Sequence, residues 1–310
     1  MEVARVHNLL RRVARQRTAA LMGIVNVTPD SFYDGGRYET ASSARERVVR
    51  LIADGADILD IGGESSRPGA PRVAAAQQIE RIAVALECAC SHDVIVSVDT
   101  ADADVAHYAL EHGAHIVNDV TCLAEPELAR VVGRHQAYLV LSHARAHQSQ
   151  MPGFSEWPDD AYADVVAEVR EELVQARERA VQLGVRREQV WFDPGLGFSK
   201  NGRHSLELLG HIAELGRDGT PLVVGTGRKS FIGKLTDSPP ADRLGGTIMA
   251  SVWASRAGAQ VVRVHDVAAV RQALIVDRAL ADAALGGSTT PSVAAPSAGP
   301  ATPEGRRSAP

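Results

Sequence analysis

Several things are scarce in this 310-residue chain. Only 4% of its residues are aromatic, and there are three cysteines, Cys88, Cys90 and Cys122. So few thiols exclude a disulfide framework and suit a reducing cytoplasm. Cys88 and Cys90 are spaced too closely for a CxxC site, and no second pair follows them, so they read as small core residues on a helix. No apolar run approaches the roughly 18 residues of a membrane span. The first 20 residues are basic but lack the apolar core of a signal peptide. Neither charge sign dominates: 33 basic side chains stand against 38 acidic ones, a net charge of −5. A nucleic-acid surface needs a basic stripe that this balance does not offer. Several chemical signatures are missing too. There is no HExxH, no nucleophile elbow with an ordered Ser-His-Asp set, and no Gly-rich dinucleotide loop after the first apolar run. The stretch GRKSFIGKL, 227–235, is no P-loop, because five residues separate its glycines where four are required and Leu235 stands where Ser or Thr is needed.

What is present is alternation. Short, mostly β-branched apolar runs are followed by longer stretches with helical spacing. The runs predict strands over 20–25, 57–61, 94–98, 115–118, 137–141, 190–192, 221–225 and 261–264. Helical spacing follows over 42–54, 74–90, 103–112, 125–134, 160–183, 205–215, 241–257 and 267–285. Several helices run into Gly-Ala just before the next strand, as at Gly55, Gly113 and Gly258, where glycine supplies a left-handed cap. Eight such units in a chain of this length predict an α/β fold, a (β/α)8 TIM barrel over 20–285. Residues 1–19 read as an N-terminal extension. Residues 286–310, rich in Ser, Thr, Ala, Pro and Gly, read as a disordered tail that cannot bury apolar area.

Polar residues gather where the strands end, and in this architecture the C-terminal strand ends build the active face. Asn26, Asp60, Asp99, Asn118, Asp119, His143, Asp193, Lys200, Arg228, Lys229, Arg263, His265 and Asp266 all fall there, with Glu64, Ser66 and Arg67 just after the second strand. Strands end in loops and loops are polar, so one such residue signifies little; clusters at all eight ends are harder to dismiss. Asp99 and Asn26 offer oxygens to a hard cation such as Mg²⁺. Arg67, Arg263 and His265 suit an anion, arginine with bidentate phosphate contact. The glycines of GGESSRPG let backbone N–H groups approach a phosphate. Asp60, Asn118, Asp193 and Lys229 together address the donor and acceptor edge of a flat heterocycle. Phe32, Phe198 and Pro68 offer packing for an aromatic ring.

Seven motifs occur in order: GIVNVTPDSFYDGG, DIGGESSRPGA, SVDT, IVNDV, DPGLGF, GRKSFIG and RVHDV. Together they resemble the dihydropteroate synthases, sulfonamide-inhibited enzymes of folate biosynthesis, from about residue 21 to 277. The resemblance implies transfer of a dihydropterin-methyl group from its diphosphate to 4-aminobenzoate, giving 7,8-dihydropteroate and pyrophosphate. It implies that Asp60, Asn118, Asp193 and Lys229 hold the pterin, with Asp99 beside it supporting positive charge as the C–O bond breaks. Asn26, Arg67, Arg263 and His265 hold the diphosphate, with Mg²⁺ at Asn26. Phe32, Ser66, Arg67, Pro68, Phe198 and Ser230 shape the aminobenzoate pocket. Asp30 to Gly36 become a lid, with glycine hinges. Such enzymes commonly form homodimers through late helices, for which the small-residue stretch 250–257 is suited; neither nucleic acid nor membrane is expected as a partner. Four positions depart from the usual pattern: Ser66 for threonine, Ala144 for methionine, Ser199 for glycine and Gly227 for serine. All lie around the second substrate, which leaves open an alternative, a pterin-binding paralogue with another acceptor amine or none, and altered sulfonamide sensitivity.

Overall fold

A computed structural model describes residues 2–28, 41–65, 67 and 69–285. The expected lid at 30–36, Phe32, Ser66, Pro68 and the tail 286–310 lie outside those residues. Eight parallel strands are present: β1 (Ala20–Asn26), β2 (Ile58–Gly62), β3 (Ile95–Asp99), β4 (Ile116–Asp119), β5 (Tyr138–Ser142), β6 (Val190–Asp193), β7 (Val223–Gly225) and β8 (Val261–Val264). They order as β6-β5-β4-β3-β2-β1-β8-β7. The ring is joined at β6 and β7 by a single bridge, Phe192 with Leu222, where the Phe192 N–H donates to the Pro221 carbonyl at 2.9 Å. Pro221 has no N–H to return, and the ordered strand begins two residues later than the sequence predicts.

The helices are α1 (Glu2–Gln16), α2 (Ala41–Ala53), α3 (Ala75–Cys90), α4 (Ala103–Glu111), α5 (Pro126–His135), α6 (Val165–Gln182), α7 (Gly202–Gly210), α8 (Ile212–Leu215), α9 (Ser230–Thr236), α10 (Leu244–Arg256) and α11 (Val267–Ala284). The glycine caps behave as expected, with φ of 92° at Gly55, 97° at Gly113 and 98° at Gly258. Helix α6 starts five residues later than predicted because Asp164 caps it, accepting from the N–H groups of Val166 and Ala167. The stretch predicted as one helix over 205–215 is two, parted at His211. The start of α10 is displaced by a 3₁₀ turn at Pro240–Asp242.

Two elements went unread. Helix α9 is only seven residues long. Helix α1 occupies what reads in sequence as an extension. Val6, Leu9 and Val13 recur at helical spacing and are buried against the barrel's lower interior, beside Met22, Ile58, Ile95, Ile116, Tyr138, Trp191 and Val261. Arg17, at φ 52°, turns the chain out of the helix. Asp57 ties plug to barrel: one oxygen takes Arg12 Nη2 at 2.5 Å, the other the Leu21 N–H at 2.9 Å. The outward strand residues form a separate, larger core with the surrounding helices. None of the described helices is long and apolar enough to cross a membrane.

Candidate active site

Strand alternation decides which of the polar strand ends face the barrel axis. Register sets Asp99 beside Asn118 and Gly225 beside Arg263. Asn118 Nδ2 and Arg263 Nε both donate to Asp60 Oδ2, at 3.0 and 2.6 Å. Arg263 Nη2 donates to Asp99 Oδ2 at 2.7 Å. One guanidinium thus bridges two carboxylates at the floor of the cleft. The other oxygen of Asp60, Oδ1, is buried with no partner. A buried acceptor left unmatched costs about 1–3 kcal/mol, so this oxygen is open to a donor from a bound molecule.

Asp193 and Lys229 complete the floor. A Cβ built on Gly225 would lie 3.4 Å from Lys229 Nζ and 3.9 Å from Asp193 Oδ2, so the two charged groups flank that glycine. Asp193 Oδ1 accepts the Gly195 N–H at 2.7 Å, and Lys229 Nζ donates to the Leu196 carbonyl at 2.9 Å. Burial raises the Asp193 carboxyl against the pull of Lys229. It lowers Lys229 to about 8, with Asp193 opposing. Asp99 is pushed up to about 7 by burial, Arg263 pulling it down while Asp60, Asp119 and Glu64 push it further up. Arg263 stays charged, because Asp60 and Asp99 more than offset its burial.

Above this floor Asn26, Arg67, Ser230, His265 and Phe198 line one cleft with the floor residues Lys229 and Arg263. Burial, and then the neighbouring charges of Arg263 and Arg47, hold the His265 imidazole down to about 3, so the ring is neutral and carries an N–H donor. Phe154, Arg228, Pro240 and Arg243 line the same cleft. Phe154 and Arg243 were not foreseen: Phe154 sits on a loop, and Arg243 falls just before α10, inside a stretch whose spacing predicts helix. Arg228 grips Asp266 through Nε and Nη2 at 2.9 and 2.8 Å, while its Nη1 reaches the carbonyls of Pro240 and Ala241.

Other strand-end residues turn away from the cleft. Asp119 accepts from Thr121 N, Thr121 Oγ1 and Leu123 N and shapes its own loop. Glu64 holds Val73 N and Gln78 Nε2. His143 and Lys200, both fully buried, lie behind the pocket wall. Of the departures, Ala144 packs with Met151 and Phe198, so the space a methionine would occupy is partly refilled from the following loop. At Gly227 a Cβ would come 3.3 Å from Val264 and 3.4 Å from the His265 ring, tight for any larger residue. Ser199 adopts φ 47°.

Eight βα units with an anion-ready, carboxylate-floored cleft at the C-terminal strand ends define a TIM-barrel enzyme. The model of the family described as pterin binding enzyme matches residues 22–265. Dihydropteroate synthase of Synechocystis is 40% identical over 84% of this chain and 89% of its own length. That of Mycobacterium leprae is 41% identical over 83% and 91%. Among solved structures, Xanthomonas albilineans dihydropteroate synthase with 4-aminobenzoic acid superposes with a TM-score of 0.77 at 38% identity, covering 86% of this chain and 94% of that one. The Yersinia pestis enzyme in a sulfonamide drug complex gives 0.81 at 35% identity, covering 86% and 96%. The chain belongs to the dihydropteroate synthase family of pterin-binding enzymes.

Proposed function

We propose that the chain condenses (7,8-dihydropterin-6-yl)methyl diphosphate with 4-aminobenzoate, forming 7,8-dihydropteroate and pyrophosphate. The single observation that carries this reading is the unmatched Asp60 Oδ1 at the centre of the floor. With Asn118, Asp193 and Lys229 it asks for a flat ring with donors on one edge and acceptors on the other. The cations and N–H donors at the rim, Arg67, Arg263 and His265, receive the leaving diphosphate. An aniline is a weak nucleophile, so the gain lies in easing departure of that anion. Asp99, in its ionised form, supports positive charge on the methylene carbon. The amine nitrogen then forms the C–N bond and releases its proton. Phe198, with Phe154 at 6.0 Å between centroids, walls the aromatic acceptor.

The residues fit a Mg²⁺ that arrives with the diphosphate: Asn26 lines the cleft and offers one amide oxygen, and this ion is commonly held by one or two protein ligands plus substrate phosphates. When bound, it supplies charge neutralisation for the leaving group. Sulfonamides would occupy the aminobenzoate space. The scarcity of cysteine supports a cytoplasmic location. Exposed Met249 and Trp253 on α10, with Ile275 and Leu280 on the adjoining α11, support a homodimer, which light scattering of the wild type and Trp253→Lys would test.

The test of function is pyrophosphate release with each substrate varied. Release that requires both substrates, and that collapses in Asp99→Asn and Lys229→Ala, is expected; release independent of 4-aminobenzoate would sink the reading. The rival, a paralogue with another acceptor or none, draws on the departures at Ser66, which lies outside the described residues, and at Ala144, Ser199 and Gly227. None of the last three introduces a charge, and Met151 partly refills the space beside Ala144.

A further inference from the structure

Lys200 is a fully buried titratable side chain outside the site, and none of the steps above uses it. We propose that it is a positioning residue, which fixes Phe198 as the wall against which the aromatic acceptor stacks. This rests on the reading of Phe198 as part of the 4-aminobenzoate pocket.

Lys200 Nζ donates to the Phe198 carbonyl at 2.9 Å, to the His143 carbonyl at 3.2 Å and to His143 Nδ1 at 2.7 Å. Three acceptors match the three N–H bonds of an ammonium group, which burial lowers to about 7 against the pull of Cys122, Asp193 and Glu172. His143 is held neutral by burial and by the Lys200 charge, near 4. Its Nδ1 is therefore free to accept, and its Nε2–H donates to Glu172 at 2.8 Å. Burial raises Glu172, but His143 and Arg145 override it and hold the carboxyl at about 2, so Glu172 is a carboxylate that balances the lysine across one imidazole ring. Arg145 closes the chain on the outer side, binding Glu172 and Glu168.

This array adds anchors to a segment whose own ties are few, among them Gly195 N–H to Asp193 Oδ1 and Phe198 N–H to the Gly195 carbonyl. Between Asp193 and Asn201 three residues are left-handed, Gly195 at φ 63°, Gly197 at 85° and Ser199 at 47°. At Gly195 a Cβ would lie 2.0 Å from the His143 carbonyl oxygen, so the loop is pressed directly onto the end of β5. For serine such a φ is strained. The Ser199 carbonyl is pinned by Tyr162 Oη at 2.8 Å, and its Oγ accepts the Arg145 N–H at 3.0 Å. Lys200 thus secures the carbonyl of the very residue whose ring faces the cleft. That ring lies 4.9 Å beneath Lys229 Nζ. Without the ammonium, the Phe198 carbonyl loses its donor and the strained turn loses an anchor.

The test is steady-state pyrophosphate release by the full chain, varying each substrate at saturating levels of the other. Lys200→Met should raise KM for 4-aminobenzoate about tenfold, the loss expected for a hydrogen bond from a charged group, while KM for the pterin diphosphate stays within about twofold. Tyr162→Phe removes a donor from the same segment without touching a buried charge. It should shift the same KM in the same direction by about threefold, which keeps the test decisive if Lys200→Met does not fold. Phe198→Ala combined with Lys200→Met should bind the acceptor no worse than Phe198→Ala alone. An additive double variant, an equal rise in both KM values, or an unchanged acceptor KM in both single variants overturns the proposal. A wild type that saturates with 4-aminobenzoate keeps the functional reading whatever the variants do; one that does not respond to it removes that reading instead.

Discussion

On β2 the inward residues run Ile58, Asp60; on β4, Ile116, Asn118; on β6, Trp191, Asp193; on β8, Val261, Arg263. The lower member of each pair is buried against Val6, Leu9 and Val13 of α1, in a layer that also takes in Met22, Ile95 and Tyr138. The upper member meets other charges and amides within 3.0 Å at Asp60, Asn118 and Arg263. Two residues along a strand, about 7 Å, separate a dry mouth from a charged one. The difference teaches where the site's electrostatics originate. Burial is the leading influence on Asp99, Asp193 and Lys229 alike. The floor charges stand on an apolar layer closed from below by a helix, and that closure keeps the local dielectric low.

The contrast breaks most forcefully at Arg263. Replacing it with methionine strips Asp60 and Asp99 of the cation between them. Breaking a buried pair from one side costs about 3–5 kcal/mol of stability. Under the proposed function Arg263 also receives the departing anion, and losing such a group costs about 10²–10³-fold in kcat. Thermal melts and pyrophosphate release should both fall; a variant that melted like wild type would show that the floor does not depend on this bridge.

Leu9→Ala works on the opposite mouth and should separate the two effects. The leucine is 7% exposed, and removing it leaves a cavity worth about 2–4 kcal/mol in denaturant melts. The charged layer stays in place above Ile58 and Trp191, so kcat/KM should remain within about twofold of wild type. A loss of activity matching the loss of stability would mean that the two mouths are not independent.

The same contrast explains what could be read from the sequence. Strand ends are fixed by β-branched runs and their glycine caps, so the floor residues Asp60, Asn118, Asp193 and Arg263 were legible before any coordinates. Helix α1 was not, because Arg5, Arg11, Arg12, Arg15 and Arg17 drew the eye to charge, although Val6, Leu9 and Val13 carried the helical period. Helix α9 is too short to show a period, and its text superficially matches a phosphate loop. Phe154 reaches the cleft from a loop whose path has no periodicity, and Arg243 from the residue just before α10, inside a stretch whose spacing predicts helix. Lys200 is legible as a polar residue after a strand, but the left-handed turns before it, which aim it behind the wall, follow no alternation rule; His143 falls on the outward phase after Tyr138 and Val140.

The smallest effect is a matter of pH, and it sharpens how the dry layer reaches the chemistry. Asp99 is held up at about 7 by burial, facing Arg263, Asp60, Asp119 and Glu64. A carboxyl raised above its ordinary value near 4 adds most to stability below that value, and the contribution is lost as pH climbs through about 7. Under the proposed function catalysis runs the other way, since there the ionised form supports the cation. Thus kcat/KM for the pterin diphosphate should rise with pH up to about 7, by about tenfold per unit on the acid side. Lys229, lowered to about 8, should bring a descending limb above that pH as its charge is lost. In Asp99→Asn the rising limb should vanish, leaving only the ionisation of the substrate diphosphate. A limb that persists unchanged in that variant would assign the proton elsewhere and detach Asp99 from the reacting carbon.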